Sequence, residues 1–303
     1  MLIDHIGAFI LLNKSEFAYT QTYFVMRSIG RIAFPIFAYF IANGCKHTKN
    51  INKYLLRLGI FALISEAIFD IAQKNEINFF FHTNIFYTLF LAVLGIAIYE
   101  KGKSMKRQWT LLLPLLLSPV VLLYYNPAAI QNGYAFAAGL LIIYAIAAFC
   151  LTRYTEERDA GEEIKLIRKI IPFLAILPLL YLAEFLRTDY SSWGVGFIIL
   201  LYLANPENRL TRTIAMIISL LYFYGYKGSL FVDSWSEING ELILSRAIHP
   251  QGLTFLLCAL VPVVLILLYN GKQGFNSKVV KWGFYAFYPI HIAALVAIRY
   301  LLA

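Results

Sequence analysis

Asp4 and His5 stand inside an apolar run, Leu2 to Leu12, and His291 stands inside another near the end of the chain. Arg27 and Arg31 are four residues apart in a second apolar run, and Glu66 and Asp70 repeat that spacing in a third. On a helix, positions four apart share a face, so each pair presents two charges in one direction. A charge at the centre of a bilayer costs about 2.5–3.5 kcal/mol on insertion scales, which makes every one of these residues a functional candidate. The histidines point to chemistry, because an imidazole with an ordinary pKa of about 6.5 can take a proton from a nucleophile and return it at neutral pH. His5 and Asp4 are the leading catalytic candidates and His291 a second base. Successive helical side chains diverge by about 100°, so Asp4 need not face the His5 ring; it can meet Arg31 from the neighbouring helix. A purely structural alternative is an ion-pair network of Arg27, Arg31, Glu66 and Asp70 that pins helices together.

The elements that hold these residues follow from composition. Of 303 residues, 60% are apolar and 14% charged, against about 45–50% and 25% in a soluble domain. Apolar runs long enough to cross a bilayer fall near 23–43, 54–72, 79–99, 108–125, 133–152, 167–186, 190–204, 210–226, 252–270 and 282–302. Leu2 to Leu12 adds a shorter helix without the basic start of a signal peptide. The expected fold is therefore an all-α polytopic membrane protein, one bundle of ten or eleven helices and one domain over 1–303. Loop charge sets its direction: the even loops hold seventeen Lys and Arg, among them Lys46, Lys49, Lys53, Lys101, Lys272 and Lys281, and the odd loops five. By the positive-inside rule the even loops are cytoplasmic, the amino terminus inside and the carboxyl terminus outside. The longest outer loop then runs from Tyr226 to Gln251. The net charge of +9 is explained by topology rather than nucleic acid, and the scattered Cys45, Cys150 and Cys258 suggest neither metal site nor disulfide framework.

The order of motifs resembles the TraX family: Met1-Leu2-Ile3-Asp4-His5-Ile6-Gly7, then Arg27-Ser28-Ile29-Gly30-Arg31-Ile32-Ala33-Phe34-Pro35, then Phe61-Ala62-Leu63-Ile64-Ser65-Glu66 with Phe69-Asp70. Later anchor points are Asn84, Thr88-Leu89, Asp189-Tyr190, Gly194-Val195 and Tyr288-Pro289-Ile290-His291. The family's name-giving member is known as a pilin acetylase, and the family looks like a branch of the transmembrane acyltransferases. The resemblance implies acetyl transfer in a bacterial cytoplasmic membrane, from cytosolic acetyl-CoA to an extracytoplasmic acceptor, either a surface peptide such as pilin or a surface glycan. His5 would deprotonate the acceptor or carry the acetyl group itself, with Asp4 or Arg31 setting its charge state. Lys46, Lys49, Lys53 and Arg57 would hold the CoA phosphates at the cytoplasmic mouth, although the positive-inside rule alone also accounts for them. Arg27, Arg31, Glu66, Asp70 and His82 would line the acceptor side.

Intramembrane Asp, Glu, His and Arg also build proton relays, so a proton-coupled secondary transporter of a small polar solute is the competing class. No internal repeat supports it. An accessory scaffold for surface assembly is a third possibility. Walker, dinucleotide-binding, HExxH and GxSxG patterns are absent, and neither a metal nor nucleic acid is expected.

Overall fold

The computed structural model describes residues 1–14, 16–77, 82–104, 146, 170, 172, 176–227, 231–238, 241–272, 274 and 277–302. Helix α1 (Leu2–Ile6) continues into a π-helical turn, Gly7–Leu11. It is followed by α2 (Gln21–Gly30), α3 (Ala33–His47), α4 (Ile51–Lys74) and α5 (Ile85–Ser104). Beyond the next stretch lie α6 (Leu177–Phe185), α7 (Ser191–Leu203) and α8 (Arg209–Leu220), which passes into a second π-helical stretch, Leu221–Lys227. The last helices are α9 (Pro250–Leu268) and α10 (Lys278–Leu301). The expected spans 108–125 and 133–152 lie outside the described residues.

Short polar residues start these helices by accepting from an amide that has no partner inside the helix. Asn50 caps α4 through Lys53 N at 2.9 Å, Asn208 caps α8 through Leu210 N at 3.0 Å, and Ser277 caps α10 through Val280 N at 3.1 Å. Asn84 does the same for α5 through Phe86 N at 2.9 Å, which is why that helix begins at Ile85 and not at 79. Helices α2 and α3 form one membrane-length stretch, Gln21–His47, with a break at Arg31 and Ile32. Pro35, having no N–H, leaves the Arg31 carbonyl without its usual partner four residues on. The chain tightens there, Arg31 N bonding to Ser28 O at 3.1 Å and Ile32 N to Ile29 O at 3.2 Å.

Membrane spanning is visible in both the inside and the outside of the bundle. Ala38, Ala42, Ala62, Ala92, Ala183 and Ala259 are wholly buried, small side chains that let helix backbones approach. Leu56, Leu63, Leu210, Leu268, Phe284 and Ile290 are exposed, an apolar rim suited to hydrocarbon. Four described helices combine the length and hydropathy of a span: Gln21–His47, Ile85–Lys103, Pro250–Leu268 and Lys278–Leu301. Helix α4 is 24 residues long, enough to cross, but its charges lower its mean hydropathy.

Among the described residues, the contacts near the helix ends fall into two groups. At one end His47 pairs with Glu207 at 3.3 Å, Arg212 donates to Tyr39 Oη and to Ile266 O, and Arg57 reaches Tyr285 Oη. At the other, Lys14 reaches Leu302 O at 3.3 Å, Arg299 reaches Ile71 and Ala72, and Thr83 is bridged to Thr188. Of these, His47–Glu207 joins two even loops, Thr83–Thr188 two odd ones and Lys14–Leu302 an odd loop to the carboxyl-terminal end, while the Arg212, Arg57 and Arg299 contacts join helices. One departure from the helical plan lies within the long loop between Tyr226 and Gln251, where β1 (Phe231–Ile238) pairs antiparallel with β2 (Glu241–Ile248), Phe231 opposite Ile248 and Ile238 opposite Glu241. Asn239-Gly240 in the sequence between them is the short-range signal for such a hairpin.

Candidate active site

Helix α10 is fastened to α4 at both ends. The last carbonyls of a helix lack internal partners and favour a cation, and Arg299 supplies one to α4: Nη1 donates to Ala72 O at 2.7 Å and Nη2 to Ile71 O at 2.9 Å and Asn75 Oδ1 at 2.5 Å. At the opposite end the Arg57 Nε donates to Tyr285 Oη at 3.5 Å, and the Phe61 and Tyr285 rings stack with centres 5.2 Å apart. Between these fastenings Tyr288, His291, Ile292 and Leu295 turn inward and are buried.

The short first helix is seated against α2 by glycine. A β-carbon on Gly7 would stand 3.3 Å from Met26 Cβ, and one on Gly30 would stand 2.2 Å from Asp4 Oδ1. Asp4 occupies that notch and accepts from Arg27 Nη1 at 2.7 Å and Arg31 Nη2 at 3.2 Å. Arg31 also donates from Nε to Arg27 O at 3.0 Å, so the break before Pro35 and the four-residue spacing together aim both guanidinium groups at one carboxylate. The Asp4 side chain keeps 14% of its surface. Asp4 thus serves the arginines and not the His5 ring.

His5 meets His291. Its Nδ1 is 2.6 Å from His291 Nε2, the ring centres are 4.9 Å apart and the planes differ by 3°. Two ring radii account for the rest of the separation between centres, so the rings lie edge to edge in nearly one plane, not face to face. His291 Nδ1 is 2.6 Å from Phe287 O in its own helix. Phe9, at 5.2 Å from the His5 ring, and Phe287, at 4.7 Å from the His291 ring, form apolar walls, and Tyr288 stands edge-on to both rings at 5.8 and 5.7 Å. His291 is buried and His5 half-buried.

Glu66 belongs to a second polar cluster. It is fully buried, and its Oε2 accepts from Asn84 N at 3.1 Å and Asn84 Nδ2 at 2.5 Å, while Asn84 Nδ2 also donates to Ala62 O at 2.8 Å. The four-membered network of Arg27, Arg31, Glu66 and Asp70 is therefore replaced: the arginines close on Asp4, and Glu66 turns to α5. Asp70 is buried one turn further along α4. Sealed Ser65 Oγ, Glu66 Oε1 and Thr88 Oγ1 have no hydrogen-bond partner among the described residues. At the rim of the bundle that carries Thr83 and Thr188, His82 contacts Arg187 O through Nδ1 at 2.5 Å and faces Asp189 Oδ1 from Nε2 at 3.8 Å. Asp189 in turn lies within electrostatic reach of Arg31, Arg27 and Asp4, which connects the rim to the interior site.

At the other end Lys46 lies over the Tyr202 ring at 4.2 Å and Arg57 over Tyr54 at 5.5 Å, while Lys49 and Lys53 are exposed. Sequence reading missed several positioning residues. Asn84 and Gly30 enter only as points of the motif resemblance, without a role, and Arg212 counts only among the loop charges. Arg212 is in fact buried, donating to Tyr39 Oη at 3.1 Å, Pro206 O at 3.1 Å and Ile266 O at 3.0 Å.

Fold and site together define a helical integral membrane protein with a histidine pair and an ion-paired carboxylate held in its interior. Comparison with known families places it more closely. The TraX protein family matches residues 1–150 and 134–299, nearly the whole chain, and the protein belongs to the TraX family. It is 26% identical over 202 residues to a Dichelobacter nodosus protein described as "Probable fimbrial assembly protein FimC, serogroup H1", a match covering 60% of this chain and 77% of that one. No solved structure matches.

Proposed function

We propose that the protein is an integral-membrane acetyltransferase of the bacterial cytoplasmic membrane, amino terminus inside, that moves an acetyl group from cytosolic acetyl-CoA to an extracytoplasmic acceptor. The observation that carries this reading is the contact of His5 with His291, a titratable pair at the meeting of α1 and α10, half-open and walled by aromatic rings. Membership of the TraX family supports acetyl transfer, and the fimbrial name of the relative favours a pilin or similar surface peptide over a glycan as acceptor. Lys46, Lys49, Lys53 and Arg57, at the basic end, hold the CoA phosphates as point-charge partners, and the Asp4, Arg27 and Arg31 cluster anchors α1 so that His5 keeps its place. Arg31 and His82 lie toward the side from which the acceptor arrives, while Glu66 and Asp70 are buried within the bundle.

The test uses the full chain in lipid nanodiscs with acetyl-CoA, together with mass spectrometry of surface peptides and glycans from cells with and without the protein. The expected result is an acceptor gaining the mass of one acetyl group only when the protein is present. His5→Ala should fold and bind CoA but turn over at least about 100-fold more slowly, the scale of a lost acid-base group. Lys46→Ala with Lys49→Ala should weaken CoA binding and leave the chemical step intact. An unchanged surface and no consumption of acetyl-CoA would remove the enzyme assignment.

A further inference from the structure

The two histidines are not equivalent, and their hydrogen bonds say which nitrogen reacts. A carbonyl oxygen can only accept, so His291 Nδ1, 2.6 Å from Phe287 O, carries a proton. In the neutral ring Nε2 is then a lone pair, and the only way His5 Nδ1 can stand 2.6 Å away in the same plane is by donating its own proton to it. That fixes the last nitrogen of the chain. His5 Nε2 is left with a lone pair, takes no hydrogen bond from the described residues and is not among the sealed polar atoms. The sequence is directional, from the Phe287 carbonyl through His291 to an open nitrogen on His5.

We infer that His5 Nε2 is the reacting atom of the proposed transfer and that His291 is its positioning and proton-accepting partner. The inference rests on the acetyltransferase reading. In the first half-reaction Nε2 bonds to the acetyl carbonyl carbon and the carbon–sulfur bond breaks, CoA leaving as the thiolate. The Nδ1 proton of His5 passes to His291 Nε2, so the acetylated ring is neutral and His291 holds the positive charge. In the second half the acceptor amine or hydroxyl attacks the same carbon, the carbon–Nε2 bond breaks, His291 returns its proton to His5 Nδ1, and the acceptor's proton is lost to water. Phe9, Phe287 and Tyr288 wall the pair, and His291, which already donates from Nδ1 to Phe287 O, is the ring placed to take the proton of His5 Nδ1. Arg27 and Arg31 lie within electrostatic reach of His5, and both are bound to the Asp4 carboxylate between them.

Two measurements test the inference. Histidine-selective nitrogen-15 NMR of the full chain in nanodiscs, assigned with His5→Asn and His291→Asn, should show both rings protonated at Nδ1 and bare at Nε2. A proton on His5 Nε2 in the resting protein overturns the inference whether or not the protein has activity. In turnover, His291→Asn still accepts from His5 but cannot take up its proton, so kcat should fall about 100-fold or more with acetyl-CoA affinity unchanged, and His291→Gly should recover activity with added imidazole. Full activity in His291→Asn, or no recovery by imidazole in an active background, would leave His291 a packing residue. Loss of activity in His5→Ala but not His291→Asn refutes the relay alone. Absence of acetyl transfer by the wild-type chain refutes the reading on which it rests.

Discussion

At the scale of single residues the site depends on a missing side chain. Gly30 gives Asp4 a place that a methyl group would occupy, since a β-carbon there would sit 2.2 Å from Oδ1. Gly30→Ala is therefore expected to push Asp4 off both arginines and cost about 1–3 kcal/mol by overpacking, with a large loss of activity if α1 shifts with it. Gly283→Ala is the matched control. It is also a glycine in a membrane helix, a β-carbon there meets nothing within 4 Å, and it should be neutral or stabilise by about 0.5–1 kcal/mol. Denaturation of both variants in micelles decides the matter; equal stability would mean that the Asp4 notch is not the constraint on α1. Charge was the legible part of this cluster, as Asp4, Arg27 and Arg31 stand out in an apolar sequence. The glycine did not stand out, because its importance lies in a neighbour twenty-six positions away in the chain.

Among elements, the position of His291 is set by how α10 is held to α4. Arg299 closes the carbonyl end of α4, so Arg299→Ala leaves Ile71 O and Ala72 O without that donor and should cost about 1.5–3 kcal/mol, the range for hydrogen bonds to a charged group. Because the bond joins two helices, its loss should also loosen the carboxyl-terminal end of α10 and lower activity more than binding of acetyl-CoA. Arg299→Lys, with fewer donors, should recover only part of the loss. A variant as stable as the parent would show that the Arg57–Tyr285 and Phe61–Tyr285 contacts alone hold the helix. Helix existence was readable from apolar runs, as α9 and α10 lie within four residues of their expected starts. The start of α5 was not, because apolar residues continue upstream of Asn84 and only the cap at that residue stops the helix. The hairpin of β1 and β2 was passed over because hydropathy and loop charge ask about lipid crossing, and neither registers a two-residue alternation between spans.

For the molecule as a whole, the alternation of loop charge predicts which loops share an end, and the contacts of His47 with Glu207 and of Lys14 with Leu302 join loops of the same class. Cysteines introduced at Asn75 and at Ser277 should therefore report opposite faces: an impermeant thiol reagent added to intact spheroplasts should modify Asn75→Cys at once and Ser277→Cys only after permeabilisation. Labelling in the reverse order would invert the orientation and with it the side from which acetyl-CoA enters. The membrane class and the approximate positions of most described helices were legible in the sequence alone, because the cost of placing a residue in lipid is a property of that residue and its near neighbours. Which charges and rings meet was decided only by the folded chain. His5 and His291 are 286 positions apart, and their contact depends on the rotation and order of helices in the bundle, to which no local pattern of hydropathy responds.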